Sequence, residues 1–241
     1  MKNIYLLLFC LILIINACNE KDFEIDAEGT QLAKIEVNGK IYQNFEYQNG
    51  NLIKENWYSF CETNPSDEYT YTYQNQQLSK INLISRSIYS STSSVCNPDL
   101  GLKSENTFEY DSQNRLIKSN RENSYSEYIY NVDNKVIKQL LHYGSSTLTA
   151  TYEYDNKGNM IKETNFDGTE IRYEYDNNPN PFYAMRQRPD WISPFNQSPN
   201  NVLKSFQQNG GFTRSIIYNT LGYPAKVLEN GSQTYEYVYQ K

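Results

Sequence analysis

Tyr152-Glu153-Tyr154-Asp155-Asn156-Lys157-Gly158-Asn159-Met160-Ile161-Lys162 reads as one β-hairpin. Side chains alternate along a strand, so the two rings of the aromatic-x-Tyr triplet project from one face. Asp and Asn close turns through their side chains and Gly takes positive φ, so Asp155 to Asn159 suits a type I turn with a Gly bulge. The return strand starts at the aliphatic Met160. The same phrase recurs as Phe45-Glu46-Tyr47 with Leu52-Ile53-Lys54, and as Tyr71-Thr72-Tyr73 with Leu78-Ser79-Lys80. It returns as Phe108-Glu109-Tyr110 with Leu116-Ile117-Lys118, and as Tyr128-Ile129-Tyr130 with Val136-Ile137-Lys138. Degenerate copies are Tyr173-Glu174-Tyr175-Asp176, Ile216-Ile217-Tyr218 with Pro224-Ala225-Lys226, and the closing Tyr235-Glu236-Tyr237-Val238-Tyr239.

A lone hairpin cannot bury its apolar face, so the copies must pair side by side. The expected fold is all-β: an antiparallel meander of repeated hairpins forming a large curled or barrel-like sheet. Two strands per copy give on the order of 14 strands, and a twisted sheet that wide curls or closes. Its interior would be Tyr, Leu and Ile, the Tyr hydroxyls reaching water or a partner. Glu46, Glu109, Glu153, Glu174 and Glu236 sit between the aromatics, so the opposite face is charged. Charge on a lipid-facing strand costs up to a few kcal/mol per site, which argues against a membrane-embedded barrel.

The first 17 residues read as an export signal. Lys2 precedes an unbroken apolar run from Ile4 to Ile15, shorter than the roughly 20 residues of a membrane-spanning helix. Ala17-Cys18 then places a small residue before a Cys where cleavage belongs, which resembles the lipobox of bacterial lipoproteins and implies lipidation at Cys18. Several acyl chains at about 0.8 kcal/mol per buried CH₂ would anchor the chain stably. Residues 18–30 are polar and acidic and read as a tether, one that also resembles surface-export signals of Bacteroidetes-type lipoproteins. The β domain is expected over 31–241. Cys10 belongs to the signal, and Cys61 and Cys96 remain as an even pair in turn-rich segments of an exported chain, so they are expected to form a disulfide.

Tyr152 to Asn159 resembles the YD repeat of Rhs-type proteins, and Phe108-Glu109-Tyr110-Asp111 is a second match; most other copies lack the Asp or the Gly. The later part resembles a porin-like domain-of-unknown-function family of such lipoproteins. It does so through Asn180-Pro181-Phe182, Asn200-Asn201 and Gly222-Tyr223-Pro224. The resemblance runs from about Ile35 to the C-terminus. It implies a fold and an outer-membrane location, lipid-anchored on the surface or periplasmic face, and no reaction.

Composition limits the function. The chain holds 23 tyrosines and carries a net charge of −6, without a Lys/Arg cluster, so nucleic acid is not an expected partner. His142 is the lone histidine and reads as a strand-end residue; no metal site or cofactor is expected. Asp111, Asp155 and Asp176 read as turn formers rather than catalytic carboxylates, and no catalytic motif occurs, so the protein is not expected to be an enzyme. Five of the eight prolines fall within 179–201, which reads as an irregular loop or edge cover. There Trp191, flanked by Arg186, Arg188 and Asp190, is the candidate ligand-binding cluster; the competing and preferred reading has Trp191 and Phe195 plugging the sheet. The expected role is a non-catalytic envelope scaffold binding glycan or protein. The alternative is a structural envelope component without a soluble ligand.

Overall fold

The structure, a computed structural model, describes residues 31–58, 64–86, 101–185, 189–208 and 210–240. Sixteen strands account for most of them. These are β1 Gln31–Val37, β2 Lys40–Gln48, β3 Asn51–Trp57, β4 Asp67–Gln74, β5 Gln77–Ser85, β6 Leu102–Tyr110, β7 Leu116–Arg121 and β8 Ser124–Tyr130. The rest are β9 Val136–Tyr143, β10 Ser146–Tyr154, β11 Met160–Thr164, β12 Glu170–Pro179, β13 Asn200–Phe206, β14 Arg214–Tyr218, β15 Pro224–Glu229 and β16 Gln233–Gln240. Two short helices, α1 Pro181–Met185 and α2 Pro194–Gln197, lie between β12 and β13.

All sixteen strands form one antiparallel meander in which each strand pairs with its chain neighbours, and β16 pairs with β1. Only β13 and β14 lack a full ladder, and even they meet at the Lys204–Thr213 bridge. The sheet is therefore a barrel-like ring with one loose seam. The count exceeds the 14 strands expected because two half-copies complete each other. β16 carries Tyr237-Val238-Tyr239 and β1 carries Leu32-Ala33-Lys34; Tyr239 faces Leu32 and Val238 faces Lys34, the register every other hairpin shows. Likewise Tyr173-Glu174-Tyr175 finds its return strand in Val202-Leu203-Lys204, far down the chain. Eight copies result: β2/β3, β4/β5, β6/β7, β8/β9, β10/β11, β12/β13, β14/β15 and the split β16/β1, numbered one to eight below.

Each copy is built the same way. The first aromatic and the aliphatic residue are buried, as in Phe45, Tyr71, Phe108, Tyr128, Tyr152 and Tyr173 with Leu52, Leu78, Leu116, Val136, Met160 and Val202. A register shift falls just before the second Tyr. Such bulges sharpen local twist. The turns come in two kinds. Copies one and two use two-residue turns with positive φ at both residues, Asn49-Gly50 and Asn75-Gln76, which is type I′ geometry rather than the type I turn with a bulge expected for all. Copies three to five and seven use the expected longer turn. There the side-chain oxygen of Asp111, Asn131, Asp155 or Asn219 accepts two backbone N–H bonds.

The second Tyr of each copy solves a backbone problem. Between neighbouring copies the ladder stops at the motif Lys: Lys34 faces Asn44, Lys54 Thr70, Lys80 Thr107, Lys118 Glu127, Lys138 Thr151, Lys162 Arg172 and Lys226 Glu236. The aliphatic residue two positions earlier is buried, and its carbonyl lies past the end of that ladder. A buried carbonyl needs a donor, and the Tyr hydroxyl of the next copy supplies it. Tyr47 donates to the Leu32 carbonyl at 2.9 Å, Tyr73 to Leu52 at 2.9 Å, Tyr110 to Leu78 at 2.8 Å and Tyr130 to Leu116 at 2.8 Å. Tyr154 donates to Val136 at 2.9 Å, Tyr175 to Met160 at 2.5 Å and Tyr239 to Pro224 at 2.7 Å. Burial pushes these phenols up; Tyr130 reaches about 12.

The one exception is Tyr218. At the seam Lys204 faces Thr213, where the pattern of the other copies would place Ser215. Tyr218 is thereby carried away from the Val202 carbonyl and donates instead to the Asp176 carboxylate. Asp176 also accepts from the Asn201 backbone and side chain, so it pins β12, β13 and β14 together. It is not a hairpin-turn residue, in contrast to the reading from sequence.

A second rule governs the inward positions. The residue three after the aliphatic one points inward and meets the first aromatic of the next copy. In four copies where that aromatic is Tyr, the residue is polar and bonds its hydroxyl: Glu55 with Tyr71 at 2.6 Å, Ser119 with Tyr128 at 2.9 Å, Gln139 with Tyr152 at 3.0 Å, and Glu163 with Tyr173; Tyr237 departs from this, with the buried Val227 at the corresponding position. Where the aromatic is Phe, at Phe45 and Phe108, the residue is Ile35 or Ile81.

Tyr110→Phe leaves the buried Leu78 carbonyl short of a donor and is expected to lose about 1–3 kcal/mol in chemical denaturation, the cost of a buried acceptor left unsatisfied. Tyr143→Phe, at a mostly exposed ring, is the control and should be silent. Equal stability of the two variants would refute the role of the hydroxyl. In a double-mutant cycle, Tyr152→Phe with Gln139→Ile should be less destabilised than the sum of the single changes, because the pair converts one copy type into the other; strict additivity would count against the matching rule.

Candidate binding site at the barrel mouth

Copy six carries the insertion 176–201 in place of a short turn, and the insertion does not lie outside as an edge cover. It folds back into the ring. The Asn180 amide donates to the Phe195 and Ser198 carbonyls, at 2.6 and 2.8 Å, and its oxygen accepts from the Phe182 backbone at 3.0 Å. Phe182 meets Phe45 and Tyr237 edge-on, on copies one and eight. Ile192 joins the core. Asp190, its side chain 1% exposed, accepts from Asn106 at 3.0 Å and pairs with Arg121 at 3.3 Å, while its carbonyl receives the Tyr128 hydroxyl at 3.3 Å. The insertion thus spans the lumen from copies eight and one to copies three and four.

The preferred sequence reading made Trp191 and Phe195 the plug. The plug is instead Phe182, Asp190 and Ile192. Trp191 is 40% exposed, and Phe195 is half-buried, stacked on Phe212 with Arg214 over both rings. Asp190 anchors the segment because a buried carboxylate needs donors, and Arg121, Asn106 and Tyr128 lie on the facing wall. Sequence reasoning missed these partners, since they sit 60 to 85 positions away. Of the remaining candidates, Arg186 and Arg188 lie outside the described residues, as do Cys18, Cys61 and Cys96. His142 lies at the end of β9, stacked on Tyr125 and bonded to Glu127 and Thr147, apart from the mouth. Asp111 and Asp155 cap turns at the other end.

Between the insertion and the walls of copies four to six lies an open cavity of about 540 Å³. That is within the range of roughly 300–1,000 Å³ typical of small-molecule pockets. Trp191, Phe166, Phe195 and Phe212 give it aromatic walls; Arg121, Gln139, Glu163, Ser193 and Gln207 give it polar ones. Burial pushes the Glu163 carboxyl up, opposed by its hydrogen bond with Tyr173. Among the described residues no three His, Cys, Asp or Glu side chains are grouped to hold a metal ion, and no helix is long and apolar enough to cross a membrane.

No protein-family model matches the chain, and no curated protein does. Among solved structures it is similar to a porin-like protein from Bacteroides uniformis ATCC 8492, at 12% identity and a TM-score of 0.41, over 88% of this chain and 98% of that one. It is also similar to a chain of the Photorhabdus luminescens Tc holotoxin pore and to one of the TcdB2–TccC3 complex. Each of these has 15% identity and a TM-score of 0.32, over 78% of this chain and 9% of the toxin chain. With all scores below 0.5, the fold stands on the strand pairing itself.

Because the folded-state pKa of Glu163 is raised, the folded protein holds its proton better than the unfolded chain. The stability this contributes is complete below the ordinary carboxylate pKa and is lost as pH rises through the raised value. Glu163→Gln is expected to raise the melting temperature at neutral pH and to have little effect at acid pH. A gain that does not depend on pH would remove the carboxylate as its cause.

Proposed function

We propose that the protein is a non-catalytic cell-envelope lipoprotein that binds its ligand at the barrel mouth. The observation that carries this reading is the open cavity of about 540 Å³ beside the insertion, with Trp191 among its lining. Elsewhere the interior holds a core of aromatic and aliphatic side chains with hydrogen-bonded polar partners such as Glu55 and Ser119, which favours a scaffold over a channel. The outward row carries exposed Glu46, Glu109, Glu153 and Glu174, with Glu153 and Glu174 paired to Lys162 and Lys204 at 3.2 Å each. A charged outer wall favours a barrel held in water over one embedded in lipid. The lipobox at Cys18 supplies the anchor, and the acidic tether holds the barrel clear of the outer membrane. A protein with no soluble ligand is the competing reading.

The test is retention of envelope material by the full chain, immobilised after purification in detergent, against a Trp191→Ala variant. Retention of a defined glycan or protein that falls at least tenfold in the variant is the expected result. Retention of nothing, or retention indifferent to Trp191, would favour the purely structural role.

A further inference from the structure

Two buried polar atoms at the cavity have no partner. Asp190 Oδ1 is unbonded although its sister oxygen is taken by Asn106 and Arg121. Ser193 Oγ is unbonded too, in a residue 6% exposed; its hydroxyl does not cap the short α2 that follows it. Both residues line the cavity, on either side of Trp191 and Ile192. Native proteins leave few such atoms unsatisfied, and each calls for an account. An acceptor and a hydroxyl, set three residues apart beside an aromatic rim, are half of a binding site.

Charge narrows the ligand. Among the described residues of the wall, the cation Arg121 is already paired with Asp190 and Glu163 is the other carboxylate, so these leave no spare positive charge for an anion. Asp190 Oδ1 can only accept, so the ligand must donate there. Ser193 Oγ both donates and accepts. Trp191, 40% exposed, brings an aromatic ring to the cavity, with Phe166 in the wall. A neutral ring that carries hydroxyls on its edge and C–H groups on its face meets all of these conditions. We infer that the barrel mouth binds a neutral saccharide, with its hydroxyls on Asp190 Oδ1 and Ser193 Oγ and its ring against Trp191. This rests on the reading of the mouth as a ligand site and names the ligand's chemistry.

Ser193→Ala separates a binding role from a structural one. An unpartnered buried hydroxyl adds nothing to stability, so its removal should leave the melting temperature unchanged or raised. If the hydroxyl serves a sugar, binding must nevertheless fall. The probes are neutral tetrasaccharides of glucose, mannose, xylose and N-acetylglucosamine, with tetragalacturonate as the acidic comparison. Binding to the full chain in detergent is followed by calorimetry. The expected result is binding of at least one neutral probe, weakened at least tenfold by Ser193→Ala and by Trp191→Ala, with tetragalacturonate at least tenfold weaker. Ser193→Ala binding that matches the unaltered chain overturns the assignment, as does tighter binding of tetragalacturonate. If no neutral probe binds while an envelope protein is retained through Trp191, the saccharide is wrong and the mouth remains a binding site. If neither binds, both readings fall.

Discussion

A Tyr hydroxyl bonded to a buried carbonyl of the preceding copy is the contact on which the ring depends. Each hairpin holds itself together through its turn and ladder, but neighbouring copies share a ladder that ends at the motif Lys. Past that point an aliphatic residue is buried with its carbonyl unsatisfied. Seven Tyr hydroxyls close seven such gaps at 2.5–2.9 Å. An unmade bond at each would leave a buried acceptor bare, at about 1–3 kcal/mol apiece. The second Tyr of the motif is therefore needed for its oxygen more than for its ring, and this accounts for its persistence where the first aromatic drifts between Tyr, Phe and Ile.

The chain ends are subject to the same constraint. β1 and β16 could each be an exposed edge, which invites pairing with other chains. Instead Leu32-Ala33-Lys34 and Tyr237-Val238-Tyr239 make one complete copy, bulge and all. The bond from Tyr47 to Leu32 then joins this copy to the first. With β1 and β16 paired, the loose seam falls between β13 and β14, where the register slips and Asp176 takes over as the acceptor for Tyr218.

The hairpins, the meander, the curl and the charged outer face were all legible, because period-two patterning and turn chemistry are local. What stayed hidden was non-local. Leu32-Ala33-Lys34 and Val202-Leu203-Lys204 match the motif, yet their aromatic halves lie at the far end of the chain or across the insertion. The matching of four Tyr with a polar partner and of two Phe with Ile was written in the sequence three residues after the aliphatic position. It becomes visible only once the next copy is known to be the neighbour. The site was half legible: Trp191 and Asp190 stood out by composition, but a Trp in a Pro-rich segment reads equally as a plug. Burial decides otherwise, since Ile192 and Phe182 fill that role and leave Trp191 at the rim.

A ring of equivalent copies has no reason to hold a site at one place rather than another. The insertion supplies that reason, and the seam explains its position. Replacing the turn of copy six removes the local link between β12 and β13. Asp176, Asn180, Ser198 and Asn201 restore it with side-chain bonds to backbone and to one another. The segment freed by this arrangement reaches across the lumen to Arg121 and Tyr128. The walls it faces carry Gln139, Glu163 and Ser205 at the inward position where Ile35 and Ile81 stand elsewhere. Polar inward residues are tolerated there because Tyr152 and Tyr173 bond two of them. The same substitution that turns a Phe copy into a Tyr copy thus makes part of the barrel wall polar enough to line a cavity, and the insertion shapes what is left open.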